Sequence, residues 1–158
     1  MILLRYGDRP IIVAPPLIDW SVPLFQRPQH LAKQLAAEGY LYFYGTNNVA
    51  VDNIEGLLEV SPGCFVTNQH EMVQSLNRTK VVHMCSTALA YDLETVRSIK
   101  RRGDKILYEY IDEIHPDISG TQIPRHVIKP HLPLLSASSP ACVATADSMY
   151  LLIVSALP

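Results

Sequence analysis

The sequence has no large excess of charge of either sign. Its 158 residues include 13 basic and 15 acidic side chains, which gives a formal net charge of −2. A protein that holds DNA or RNA through its phosphates needs a basic surface, so this composition gives no electrostatic case for nucleic acid as a partner. The densest basic run, Lys100 to Arg102, precedes Gly103 at the predicted end of a helix, where cations complement the helix dipole.

Cysteine and long hydrophobic runs are also scarce. Cys64, Cys85 and Cys142 are odd in number, far apart and form no C-x-x-C pair. This pattern predicts thiols that serve as small hydrophobic side chains in a reducing compartment, not disulfides or zinc ligands. The apolar start at residues 1–8 is too short for a signal peptide. The apolar segment 150–158 is well short of the about 20 residues that span a bilayer, so we predict a cytoplasmic protein.

Several motifs of nucleotide binding and catalysis are missing. The sequence contains no G-x-G-x-x-G, no P-loop, no G-x-S-x-G and no Asp-x-Asp. These absences remove most support for a dinucleotide dehydrogenase, an NTPase or a serine hydrolase.

What the sequence does contain is an alternation of short apolar runs with helical segments. It predicts strands at 11–14, 40–44, 80–84, 105–111 and 141–145, a hairpin at 57–67, and helices at 28–38, 71–76 and 91–102. This order predicts one α/β domain over residues 1–158, Rossmann-like and doubly wound, with a mostly parallel sheet of about six strands. Ligands of such sheets bind beyond the carboxyl ends of the strands.

A long loop follows the first predicted strand. It contains Asp19, the only tryptophan, Trp20, and then Gln26 and Arg27, where a turn of two to six residues is usual. Arg27 at a helix start combines a guanidinium with free backbone N–H groups, which suits a phosphate or a carboxylate. The alternative is that Arg27 forms an ion pair with Asp19 or Glu113 and only holds the loop in place. Trp20 and Phe25 fit either a sugar-stacking platform or the packing of the loop.

A second group of polar residues follows the predicted strand 105–111. Asp112, Glu113, His115 and Asp117 reach the same edge of the sheet, and their side chains allow a metal site or an acid–base pair. No two of them have the spacing of a known metal motif, so we favour Asp112 as a polar contact to a hydroxylated ligand. His83, in the apolar strand 80–84, is predicted to be a hydrogen-bonded core residue rather than a catalyst.

Three stretches together resemble a family of bacterial glycosyltransferases with the GT-B fold. The most specific is Ile18-Asp-Trp-Ser-Val-Pro-Leu-Phe-Gln-Arg-Pro-Gln-His-Leu-Ala32, with a Trp followed shortly by Gln-Arg-Pro-Gln-His. The others are Tyr108-Glu-Tyr-Ile-Asp-Glu-Ile-His-Pro-Asp-Ile-Ser-Gly120 and Val143-Ala-Thr-Ala-Asp147. With Val51-Asp-Asn-Ile-Glu-Gly56, the likeness covers nearly the whole chain in order.

The resemblance implies the N-terminal, acceptor-side half of an enzyme that transfers a sugar from a nucleotide-sugar to a polysaccharide or glycolipid of the cell envelope. It implies no metal and no permanently bound cofactor, and the nucleotide-sugar donor is a co-substrate. It also implies a C-terminal donor domain as partner and peripheral membrane association of the full enzyme. The site residues that we predict are Asp112 as the catalytic residue and Asp19, Trp20, Gln26, Arg27 and Glu113 as substrate-binding residues.

The chain ends where the second domain of that family begins, so we expect the donor-binding half to be absent and the isolated chain to be inactive, because transfer needs donor and acceptor held together. Two other functions remain open. One is a non-catalytic binding or interaction module on a Rossmann-like fold. The other is a small hydrolase or metal enzyme built on Asp112, His115 and Asp117.

Overall fold

The computed structural model describes residues 2–85, 93–110 and 143–144. The chain divides into two compact units, Met1–Val82 and His83–Pro158.

The first unit is built around parallel strands. Its elements are α1 (Ile2–Tyr6), β1 (Ile11–Ala14), α2 (Arg27–Ala37), β2 (Leu41–Gly45), β3 (Leu57–Ser61), β4 (Cys64–Thr67), α3 (His70–Gln74) and the start of β5 (Lys80–Cys85). Their strand order is β3-β4-β2-β1-β5. β1 pairs in parallel with β2 and β5, β2 pairs in parallel with β4, and only β3 pairs antiparallel, with β4.

The core of this unit lies on strands that are buried along their whole length. Every residue of β1, β2 and β4 is buried, which is the pattern of strands covered on both faces. The Phe43 and Phe65 rings stack with their centroids 5.5 Å apart. They belong to one apolar cluster, which contains Ile11, Val13, Leu41, Phe43, Phe65 and Val73.

Helix α2 covers β2 with one apolar stripe. Ala32, Leu35 and Ala36 are buried on the helix, three and four residues apart, which is the spacing of one face of a helix. The helix begins one residue earlier than predicted, at Arg27, so that Pro28 occupies its second position. Gly39 follows the helix with φ +98°, a left-handed conformation that favours glycine over residues with a Cβ.

The second unit contains the end of β5, α4 (Leu93–Arg101), β6 (Lys105–Tyr110) and β7 (Val143–Ala144). The strand order is β5-β6-β7, and β6 pairs in parallel with β7. Val96 and Ile99 of α4 are buried. The helix ends in Lys100 and Arg101, as the charge pattern predicted.

The described residues confirm an α/β chain whose sheet is mostly parallel. Six strands have four to six residues each and the seventh has two, which agrees with the prediction of about six. The predicted hairpin is β3–β4. Helix α1 was not predicted. No helix in residues 2–85 or 93–110 combines the length and apolar character needed to cross a bilayer.

Candidate functional site

A cleft opens at the carboxyl ends of two neighbouring parallel strands, β1 and β2. Its volume is about 280 Å³. The loop after β1 and the loop after β2 form its walls, and its lining is mainly apolar. The lining residues are Pro16, Leu17, Ile18, Asp19, Val22, Asn47, Val49 and Ala50.

Asp19 connects the two walls of the cleft. Its Oδ2 accepts hydrogen bonds from the backbone N–H groups of Ala50, Val51 and Asp52, at 2.6, 2.8 and 3.1 Å. Its Oδ1 accepts another from the N–H of Val49 at 3.0 Å. The residue is only 6% exposed. Four successive N–H groups therefore wrap around one buried carboxylate.

Asp52 makes the reciprocal connection from the second loop to the first. Its Oδ2 accepts from the N–H of Trp20 at 2.5 Å, and its Oδ1 accepts from the N–H of Ser21 at 2.8 Å. The Thr46 hydroxyl lies between the two acids, 2.7 Å from Asp52 Oδ2 and 3.3 Å from Asp19 Oδ1. Each loop thus contributes a carboxylate that binds the backbone of the other loop. We call Asp19, Thr46 and Asp52 the carboxylate clasp.

The clasp keeps both acids ionised. The N–H groups of Ala50 and Val51 are the largest influences on the pKa of Asp19, and they lower it far below its ordinary value of 3.8 although burial opposes them. Burial raises the pKa of Asp52, but the hydrogen bonds from the Thr46 hydroxyl and the Trp20 N–H outweigh it, and the net pKa is lowered. Neither acid is poised to exchange a proton near neutral pH, so the clasp holds the loops rather than serving as a general acid or base.

Asn48 stiffens the loop after β2 from within. Its backbone has φ +52°, a conformation that asparagine adopts more readily than most residues. The side chain closes the loop on itself, because Nδ2 donates to the Ile54 carbonyl at 2.9 Å and Oδ1 accepts from the Ile54 N–H at 3.0 Å. The conformation of the loop after β2, which forms one wall of the cleft, is therefore fixed by the Asn48 side chain as well as by the clasp.

Gly45, the last residue of β2, lets the loop after β1 pass close by. A Cβ at this position would lie 2.8 Å from Cδ and N of Pro16 and 2.9 Å from the Ala14 carbonyl oxygen. The Tyr44 hydroxyl donates to the Ile18 carbonyl at 3.0 Å on the same path. The close approach places Pro16 and Ile18 in the floor of the cleft.

The start of α2 is tied to the same loop by Gln29. This side chain is fully buried. Its Oε1 accepts from the Gln26 N–H at 2.9 Å, and its Nε2 donates to the Asp19 carbonyl at 3.3 Å. Gln26 and Arg27 at the helix start are both exposed. The structure thus places these two predicted residues on the surface beside a buried anchor, and their role in substrate binding stays a prediction.

Trp20 lies in the packing of the loop. It is 6% exposed, and its ring meets the rings of Phe25 and Tyr44 edge to face, with centroids 5.2 and 5.1 Å apart. The Lys33 ammonium lies 4.7 Å from the Phe25 centroid. A ring so enclosed offers little face to a sugar, so the observed contacts correspond to the packing alternative; a direct role for Trp20 in binding stays a prediction.

The other predicted site residues belong to the segment that follows β6. Asp112 and Glu113, together with His115 and Asp117, lie outside the described residues. His83 is described, and it agrees with the prediction of a hydrogen-bonded core residue, because it is 1% exposed and its Nε2 lies 3.0 Å from Glu109 Oε2.

Sequence reasoning missed Thr46, Asn48, Asp52 and Gln29 as parts of this region. Asp52 belongs to the stretch Val51-Asp-Asn-Ile-Glu-Gly56 that carried the family resemblance, but no role followed from it. A signal was available, since each polar side chain lies in or beside a loop that follows a buried strand. No periodicity, however, reveals which backbone N–H groups a carboxylate will meet.

Comparison with known proteins finds no matching family, no matching curated protein and no matching solved structure.

Proposed function

We propose that this chain is the acceptor-side, Rossmann-like half of a glycosyltransferase, and that the acceptor binds in the cleft between the loops after β1 and β2. The position of the cleft is the observation that carries the proposal. It lies beyond the carboxyl ends of adjacent parallel strands, which is the edge at which open α/β sheets bind their ligands. The Gln-Arg-Pro-Gln-His stretch that resembles GT-B enzymes enters α2 from one of its walls.

The lining favours an amphipathic acceptor such as a lipid-linked sugar. Six of the eight lining residues are apolar. Of the two polar ones, Asp19 already accepts hydrogen bonds at both of its oxygens. Val49, one of the lining residues, is 80% exposed. A volume of about 280 Å³ accommodates one sugar or a short alkyl segment rather than an extended chain.

The clasp supports binding by fixing the walls in advance. The loops are held in place before any ligand binds. The carboxylates of Asp19 and Asp52 join the two loops, and the Asn48 side chain closes the second loop through its hydrogen bonds to Ile54. A preformed cleft avoids the entropy cost of ordering loops when the acceptor arrives. In a transferase, the same rigidity keeps the acceptor hydroxyl in place for attack on the donor.

Binding is tested by adding octyl β-glucoside, below its micelle concentration, to the isotope-labelled chain and following amide chemical shifts. We expect shifts confined to residues 16–22 and 47–51, with much weaker binding of glucose alone. Ala50→Trp fills the cleft while keeping the backbone N–H that binds Asp19, and it should weaken binding at least roughly tenfold. Met72→Trp, at a position of α3 that is 53% exposed and outside the cleft, is the matched control.

Equal loss of binding in both variants, or shifts spread away from the cleft, would contradict the assignment. Transfer is tested separately, with a radiolabelled nucleotide-sugar, octyl β-glucoside and the natural full-length protein. If the radiolabel appears in octyl β-glucoside, the result supports glycosyltransferase activity. Binding in the cleft without any label transfer is the result expected of a non-catalytic binding module.

A further inference from the structure

Three side chains of metal-ligating type converge within the second unit. His83 and Cys85 are two residues apart on β5 and therefore share one face of the strand. Glu109 lies on β6, which neighbours β5. All three are buried, at 1%, 5% and 5% exposure. We call them the His–Cys–Glu cluster.

The ligand atoms form a small triangle. His83 Nε2 lies 3.0 Å from Glu109 Oε2, Cys85 Sγ lies 3.4 Å from the same oxygen, and Cys85 Sγ lies 3.8 Å from His83 Nε2. Zinc bonds nitrogen, oxygen and sulfur at about 2.0–2.3 Å, so the ligand atoms of a tetrahedral zinc lie about 3.3–3.6 Å apart. Shifts of a few tenths of an ångström convert the observed triangle into three corners of such a site.

The donor set also selects the cation. A thiolate, an imidazole and a carboxylate are the ligands of zinc, whereas magnesium and calcium take oxygen ligands almost exclusively. The two negative charges of a Cys85 thiolate and a Glu109 carboxylate balance the charge of a divalent ion. Binding releases the Cys85 thiol proton to solvent and leaves the hydrogen of a neutral His83 on Nδ1, and the three new metal–ligand bonds replace bonds from the hydrated ion to water.

We propose that His83, Cys85 and Glu109 form a zinc-binding site with water in the fourth coordination position. The site differs from the sequence-based expectation, which treated the cysteines as hydrophobic side chains and His83 as a core residue. It is independent of the cleft and of the proposed glycosyl transfer.

The test uses the purified 158-residue chain, unfolded with a chelator and refolded with Zn²⁺ or Co²⁺. We expect one metal ion per chain by elemental analysis, and a thiolate-to-cobalt charge-transfer band in the Co²⁺ form. Cys85→Ser should abolish that band and weaken Zn²⁺ binding roughly a hundredfold or more. Cys64→Ser and Cys142→Ser should retain both. Cys64 is an apt control, since burial raises the pKa of its thiol to about 11 and keeps it protonated.

X-ray absorption of the zinc-loaded wild type gives a readout that does not depend on how well a variant folds. One sulfur at about 2.3 Å with nitrogen and oxygen at about 2.0 Å supports the site. A shell without sulfur, no stoichiometric zinc in the refolded protein, or the loss of the cobalt band in Cys64→Ser or Cys142→Ser but not in Cys85→Ser would overturn it.

Discussion

At the scale of single residues, the carboxylate clasp shows why buried acids in loops need not be catalytic. Asp19 and Asp52 lie in different loops, and each accepts hydrogen bonds from the backbone of the other loop. Backbone N–H groups in a loop have no strand or helix partner, and a buried one without an acceptor is costly. The two acids satisfy these groups while they join the loops.

Removal of Asp52 should therefore destabilise the chain. Asp52→Ala leaves the buried Trp20 N–H without its acceptor, and we expect a loss of about 1–3 kcal/mol in the free energy of unfolding. Urea unfolding followed by tryptophan fluorescence measures it directly, because Trp20 is the only tryptophan. Glu55→Ala removes an exposed carboxylate from the same loop and should stay within about 0.5 kcal/mol of wild type. Similar losses of unfolding free energy in both variants would show that the negative charge of the loop, and not the hydrogen bonds of the clasp, stabilises the chain.

At the scale of elements, the end of β2 and the loop after β1 depend on one glycine. Gly45→Ala puts a Cβ within 2.9 Å of three atoms, two of them in the backbone. We expect a loss of about 1–3 kcal/mol in unfolding free energy, together with shifted amide signals of Leu17 and Ile18 in the cleft. Pro16→Ala should not rescue the variant, because it leaves the crowded nitrogen of residue 16 and the Ala14 oxygen in place.

Gly56→Ala provides the comparison for that experiment. Its φ is +75° and no atom lies within 4 Å of the added Cβ. It should cost about 1 kcal/mol through backbone conformation alone, and the amide signals of Leu17 and Ile18 should not move. If Gly45→Ala behaves in the same way, the close approach to Pro16 does not constrain the cleft.

The elements themselves were largely predictable, because local sequence determines them. The run Ile11–Ala14 predicted β1 without error, and the predicted helix at 28–38 agrees with α2 to within one residue at each end. The boundary error at Pro28 arose because proline is tolerated within the first turn of a helix and does not by itself mark the first position. Contacts between distant residues were not predictable. The spacing of His83 and Cys85 places them on one face of a strand, but only the sheet order brings Glu109, 24 residues further on, against Cys85.

At the scale of the whole molecule, the clasp should govern how the protein responds to acid. The pKa of Asp19 and that of Asp52 are lower in the folded chain than their ordinary value of 3.8. A carboxyl with a lowered folded pKa stabilises the fold above its unfolded pKa, and the contribution is lost as the pH falls through the folded pKa. The contribution of the clasp to stability should therefore be level from neutral pH to about pH 5 and then fall steadily below pH 4.

The double variant Asp19→Asn/Asp52→Asn isolates this contribution. It removes both ionisable groups while nearly preserving their size, so the chain should be less stable than wild type at pH 7 and the difference should shrink as the pH falls below 4. Urea midpoints measured from pH 7 to pH 2 give both curves. Glu55→Gln, which neutralises an exposed acid of the same loop, should follow the wild-type curve. A constant gap between wild type and the double variant at every pH would mean that the ionised state of the two acids adds nothing to stability, and that the loops are held by shape and neutral hydrogen bonds alone.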